Sequence, residues 1–129
     1  MLVVNTKLGI STIHGIGLFA DQHIKKGTIV WKWNPIIDYK ITSKQFKSLP
    51  LVAQKTVLNY CYSNHDGDYI ICGDDGRFFN HAKEPNCFEV DSDDGKEPTI
   101  AIRNIRKGEE LTINYYQFDT NYKNGKKKL

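Results

Sequence analysis

Apolar and polar positions fall into short runs along this chain, broken repeatedly by glycine and by Asp-Gly pairs. That rhythm predicts short strands joined by tight turns. Ile13-His14-Gly15-Ile16-Gly17-Leu18-Phe19-Ala20 sets two glycines two apart within an apolar run, where a strand would lose packing and gain backbone freedom. Close approach of another group to that backbone is one explanation, and a bulge or tight turn explains the pair equally well. A dinucleotide-binding fold is not indicated, because the third glycine and the long following helix are missing. From Ala20 the chain reads Ala-Asp-Gln-His-Ile-Lys-Lys-Gly-Thr-Ile-Val, and from Ala101 it reads Ala-Ile-Arg-Asn-Ile-Arg-Lys-Gly-Glu-Glu-Leu. Each copy reads as strand, glycine turn, strand. Two such units far apart in sequence predict small sheets that bring the termini together rather than a repeat array.

Val30-Trp31-Lys32-Trp33 continues as strand, with both indoles on one face if the segment is extended, and they read as core. Thr42 to Tyr62 is the one helical region: Thr42 or Ser43 can cap a first turn, Ser48 and Pro50 can start a second helix, and Leu51, Val57, Leu58 and Cys61 fall near a helical stripe. Asp66-Gly67, Asp75-Gly76 and Asp94-Gly95 mark tight turns, and the acidic loop from Asp91 to Gly95 reads as a hairpin tip rather than a calcium loop. In Gly108-Glu109-Glu110-Leu111-Thr112-Ile113-Asn114-Tyr115-Tyr116, Leu111 and Ile113 alternate with Thr112 and Asn114, a strand signal ending in paired tyrosines.

Composition narrows this picture. A chain of 129 residues, 40% hydrophobic and 12% aromatic, builds one core and one domain. Its 18 basic and 15 acidic residues give a net charge of +3, too mild for a nucleic-acid footprint, so no direct nucleic-acid partner is expected. Only Lys123 to Lys128 are locally basic, and they read as a solvated tail. Cys61, Cys72 and Cys87 are odd in number and widely spaced, which signals neither a disulfide framework nor a zinc site, and no metal is expected. They read as small buried hydrophobes. With no signal-peptide pattern and no apolar run of about eighteen residues, a soluble intracellular protein is expected.

The candidate chemistry lies in Arg77-Phe78-Phe79-Asn80-His81 and its exit through Pro85-Asn86. An apolar pair running into Asn-His sets polar groups at the edge of a core, which suits a small polar ligand held against apolar walls. Taken alone, a capped turn whose Asn and His bond only to backbone accounts for it as well.

Joined in order, three of these segments resemble the motifs of the SET-domain protein lysine methyltransferases. Gly15-Ile16-Gly17-Leu18-Phe19-Ala20 is similar to the first, Arg77 to His81 with Pro85-Asn86 to the central one, and Gly108 to Tyr115 to the last. The resemblance implies a mainly β, β-clip fold of small sheets around a C-terminal pseudoknot, occupying residues 1–118 with a helical insert at about 42–62 and a basic tail at 119–129. It implies S-adenosylmethionine bound around Gly15, Ile16 and Gly17 and by Arg77, Asn80, His81, Tyr115 and Phe118, with Tyr115 as the catalytic tyrosine. Phe118 or Tyr122 would cover the cofactor, because the cysteine-rich flanks of many members are missing. A lysine of a histone tail or another protein would enter from the opposite face, in a monomer or homodimer, in the cytoplasm or in a host nucleus. Its amine must lose a proton before attacking a sulfonium methyl. Desolvation and the sulfonium charge both favour that loss, so an aromatic channel can do without a strong base. Ala82 and Lys83 stand where Ser-Cys is common, Asn114 where Asp is usual, and Ile113 where many members carry an aromatic. These departures keep a non-catalytic, protein-binding SET-like module as the alternative.

Overall fold

The computed structural model describes residues 1–92 and 97–123. Among them, β1 (Thr6–Ile10) and β2 (Ile16–Ala20) form an antiparallel hairpin in which Gly9 faces Gly17. A second sheet has the order β3 (Ile29–Trp31), β9 (Thr99–Ala101), β8 (Cys87–Glu89), and a third the order β4 (Tyr39–Ile41), β6 (Tyr69–Ile71), β5 (Cys61–Ser63). Both are antiparallel. The shortest pair, β7 (Asn80–His81) with β10 (Thr112–Ile113), is parallel. Four short helices complete the described chain: α1 (Ser43–Ser48), α2 (Leu51–Tyr60), α3 (Tyr115–Phe118) and α4 (Thr120–Lys123). The expected class of small sheets with few helices is the one found, and these sheets do not close into a barrel. No helix among the described residues is long and apolar enough to cross a membrane.

The two similar units are organised around each other. Ile24 and Ile105 exchange backbone hydrogen bonds, each N–H donating to the other carbonyl at 2.8 Å. Gly27 N–H donates to the Ala101 carbonyl and Gly108 N–H to the Ala20 carbonyl, both at 2.7 Å. In return Ala101 N–H donates to Thr28 and Ala20 N–H to Glu109, both at 2.9 Å. Each unit therefore satisfies the other's turn about a local two-fold. The turns themselves need φ of +87° at Gly27 and +92° at Gly108, values that favour glycine. Ala20, Ile24, Ala101 and Ile105 are all buried at the centre of the core with Leu18, Val30 and Leu111.

Beyond Gly108 one segment does two jobs. Glu110 bridges to Phe19 and Leu111 N–H donates to the Leu18 carbonyl at 2.7 Å, so residues 109–111 extend the β2 edge. Thr112 and Ile113 then pair with Asn80 and His81. Asn86 locks this crossing: its amide donates to the Glu110 carbonyl at 2.8 Å and its Oδ1 accepts from Thr112 N–H at 2.9 Å.

Several local expectations change. Thr42 does cap α1, in a capping box with Gln45, and Pro50 begins α2. The α2 stripe is not core, however: Leu51 is 76% exposed and no α2 residue is buried. Cys61 and Tyr62 belong to β5, because the chain turns extended there to pair with β6. Asp75-Gly76 opens a single 3-10 turn (Asp75–Phe78), in which Gly76 N–H is capped by the Asp74 side chain, rather than a hairpin. The strand expected through Tyr115 stops at Ile113. Leu111, Thr112 and Ile113 are all buried, so the alternation does not mark two faces: Thr112 is accepted inside because Asn86 satisfies it. Asn114 then caps α3 by accepting from Tyr116 N–H at 3.1 Å. Residues 119–123 pack rather than trail away. The buried Asp119 accepts from Ser63 N–H at 3.2 Å and from Asn121 N–H at 2.9 Å. The Asp94-Gly95 turn and the tail beyond Lys123 lie outside the described residues.

Candidate functional site

The junction of β2, residues 109–113 and β7 opens onto a cleft of about 860 Å³. A closed set of hydrogen bonds shapes its rim. Ser11 Oγ accepts from Ile13 and His14 N–H at 2.9 and 3.2 Å and donates to Glu110 Oε2 at 3.0 Å. Glu110 Oε1 accepts from the Asn80 amide at 2.9 Å, and the same amide reaches the carbonyls of His14 at 3.0 Å and Ile16 at 3.3 Å. Asn80 thus clamps the β1–β2 loop, and its donors are occupied within the chain. The demand for close approach at the glycine pair comes from this network. A Cβ on Gly17 would lie 2.2 Å from Glu110 Oε1, while Gly15 supplies a turn with φ +46°.

His81 Nδ1 accepts from Tyr115 N–H at 3.1 Å, which places the proton of the neutral ring on Nε2. Burial, then the nearby Lys83 charge, holds this imidazole below its usual pKa and keeps it neutral. Tyr115 sits at the first position of α3, and its hydroxyl donates to the Phe79 carbonyl. Burial, with Tyr122, Asp119 and Glu110 nearby, raises its pKa well above that of an ordinary phenol. Tyr115 is therefore a fixed neutral hydroxyl at neutral pH.

Aromatic rings continue inward from it. Tyr115 meets Phe118 at a centroid distance of 6.2 Å, Phe118 meets Tyr62 at 5.2 Å, and Tyr62 meets Trp31 at 6.4 Å, all edge to face. Across the mouth the exposed Arg77 lies over the rings of Tyr60 and Phe78 at 5.5 and 5.3 Å. The cysteines are buried as expected. Burial drives the Cys72 thiol far up and pushes Cys87 up to about 12, so both are poor nucleophiles.

Of the residues singled out from sequence, Ile16, Arg77, Asn80, His81, Tyr115 and Phe118 line this one cleft. Gly15 and Gly17 do not line it; they shape the loop whose His14 and Ile16 do. Tyr122, the alternative cover, also lines it, packed 5.2 Å from the Tyr115 ring. Glu110, Trp31, Tyr62 and Glu89 were not anticipated. Glu110 carried a signal, as the acid beside an apolar strand start. Glu89 carried none, since only sheet pairing brings it to the cleft.

Comparison with known proteins bears on family and fold. The family pattern described as SET domain matches residues 15–116. Human histone-lysine N-methyltransferase 2B is 35% identical over 112 residues, covering 81% of this chain and 4% of that protein. The H3 lysine-4 specific histone-lysine N-methyltransferase of Schizosaccharomyces pombe is 33% identical over 115 residues, covering 83% of this chain and 12% of its own length. The chain thus spans a small part of either relative. Among solved structures, the Chaetomium thermophilum Polycomb Repressive Complex 2 superposes with a TM-score of 0.69 at 23% identity, over 94% of this chain and 16% of that one. A crystallised Plasmodium falciparum protein gives 0.63 at 22% identity, over 87% and 93%. The structures speak for the fold alone, while the family pattern covers residues 15–116, through β2, β7 and residues 109–113, and on that ground this chain belongs to the SET-domain family.

Proposed function

We propose that this domain is an S-adenosylmethionine-dependent protein lysine N-methyltransferase. The observation that carries the reading is the convergence of three separate segments on one cleft, with the Tyr115 hydroxyl fixed on the Phe79 carbonyl at its inner side. The relatives' names make histones the first acceptor to try.

The lining fits the cofactor. Its volume of about 860 Å³ lies in the range of small-molecule clefts, roughly 300–1,000 Å³. Phe78 and Phe118 offer faces to a planar base, and Arg77 keeps donors for a carboxylate at the mouth. The His14 and Ile16 backbone, already held by Asn80, supplies the rest of the rim. When bound, S-adenosylmethionine supplies an electrophilic methyl group on a sulfonium.

The chain's own contribution is alignment. Tyr115 offers a hydroxyl oxygen whose proton is committed to Phe79, so it orients groups beside it and does not act as a base at neutral pH. His81 fixes where α3 begins, and through it the ring of Tyr115. Gly15 and Gly17 act through the loop they shape. Phe118 and Tyr122 line the cleft from the C-terminal side, where they would cover the bound cofactor.

The test is transfer of isotopically labelled methyl groups from S-adenosylmethionine into core histones and a cell lysate, with mass spectrometry of labelled bands. Methylated lysine is expected. Failure to bind the cofactor would favour a non-catalytic module.

A further inference from the structure

The cleft contains a carboxyl group that the reading above leaves without work. Glu89 on β8 lies directly opposite Thr99 on β9, and Trp31 on β3 pairs with Thr99 just past a shift of register in that ladder. Directly opposed residues project to the same face of a sheet. All three line the cleft, as does Tyr62, whose ring packs on Trp31. The inner end is thus an acid beside an aromatic wall that runs back to Tyr115.

The charges of this corner call for a cation-bearing ligand, and the buried Trp31 supplies an apolar wall for it. Glu89 is surrounded mainly by acids. Glu97 and Asp119 are buried, Asp91 is exposed, and Lys123 at the end of α4 is the described cation that acts on it. Burial first, and Glu97, Asp91 and Asp119 after it, push the Glu89 carboxyl up to about 8, with Lys123 opposing them. The Tyr62 hydroxyl on β5 is driven up in turn by burial and by Glu89. A carboxylate in such a corner is stabilised by an entering ammonium, and aromatic faces attract the same ion.

We propose that Glu89 receives the substrate lysine: its carboxylate pairs with the ammonium against the Tyr62 and Trp31 rings and takes one of its protons. One N–H bond of the ammonium breaks, one O–H bond forms on Glu89, and the electron pair stays on nitrogen as the nucleophile. The carboxyl gives its proton to water once the product leaves. Desolvation lowers the ammonium from its free value of about 10.4 and burial raises the carboxyl, and both reduce the cost of the transfer. This inference rests on the methyltransferase reading, and its test is separable from it.

The probe is n-butylammonium, a lysine side chain without its backbone, titrated into protein carrying carbon-13 at glutamate carboxyls. Saturating probe is expected to lower the midpoint of the Glu89 titration by at least one pH unit. Glu89→Gln, which keeps the shape, is expected to weaken butylammonium binding at least tenfold while leaving S-adenosylmethionine affinity unchanged. A Glu89 titration indifferent to butylammonium, or a Glu89→Gln protein that binds it as well as wild type, overturns the proposal. In a separate arm, wild-type methyl transfer to core histones is expected to rise with pH through the Glu89 midpoint, and Glu89→Gln to lose that inflection. If wild type transfers no methyl group to any acceptor, the enzyme reading fails, and the butylammonium titration still decides what Glu89 binds.

Discussion

Asn80 and Glu89 are two polar residues at one cleft with opposite circumstances. The Asn80 amide has acceptors on His14, Ile16 and Glu110, so its removal leaves several groups unsatisfied near the core. Asn80→Ala is expected to cost about 1–3 kcal/mol in urea unfolding, the scale of unsatisfied buried groups, and to loosen cofactor binding through the β1–β2 loop. Unchanged stability would contradict the clamp. Glu89 is the reverse case. Its folded pKa, about 8, lies above the ordinary carboxyl value of 4.5, so the native state binds more protons than the unfolded chain between those two values. Its contribution to stability is therefore favourable below about pH 4.5 and is lost progressively as pH rises to about 8. Melting of Glu89→Gln is expected to fall less over that window than melting of wild type; parallel curves would show that the carboxyl is not so placed. Asn80 was legible as a polar group at a core edge. Its partners were not, since a short motif does not reveal which distant carbonyls will meet it.

At the scale of elements, glycines and turns read well and faces read poorly. The two units around Gly27 and Gly108 were visible as similar strings, and their mutual pairing explains why both carry glycine at one position. The Gly15–Gly17 pair signalled close approach, and the approaching group is a side chain of the protein, Glu110. Gly17→Ala is expected to push that carboxylate away, breaking its bonds to Ser11 and Asn80, at a cost of about 1–3 kcal/mol by chemical denaturation. The same stability as wild type would mean the loop can yield. In α2 the apolar spacing suggested a core face, yet Val57 and Leu58 are only half-buried, and Leu58 instead lines the cleft. Helical period tells which residues share a face and not what covers it. Thr112 shows the same limit in a strand, because its burial depends on Asn86, from a different segment.

Over the whole molecule, the cleft exists because residues 109–113 pair first with β2 and then with β7, carrying Tyr115 to the Phe79 carbonyl. The order of the three motifs was readable from the chain, whereas this crossing depends on pairings between residues far apart in sequence. Sheet register, which no local pattern encodes, is also what delivers Glu89 and Trp31 to the inner end. We propose that this convergence positions a methyl acceptor at Tyr115. The most direct measurement is turnover and cofactor affinity of Tyr115→Phe beside wild type, by labelled methyl transfer to core histones and by calorimetry. Turnover is expected to fall at least tenfold, with S-adenosylmethionine affinity nearly unchanged. Undiminished turnover, or a collapse of cofactor affinity in a protein that remains folded, would contradict it.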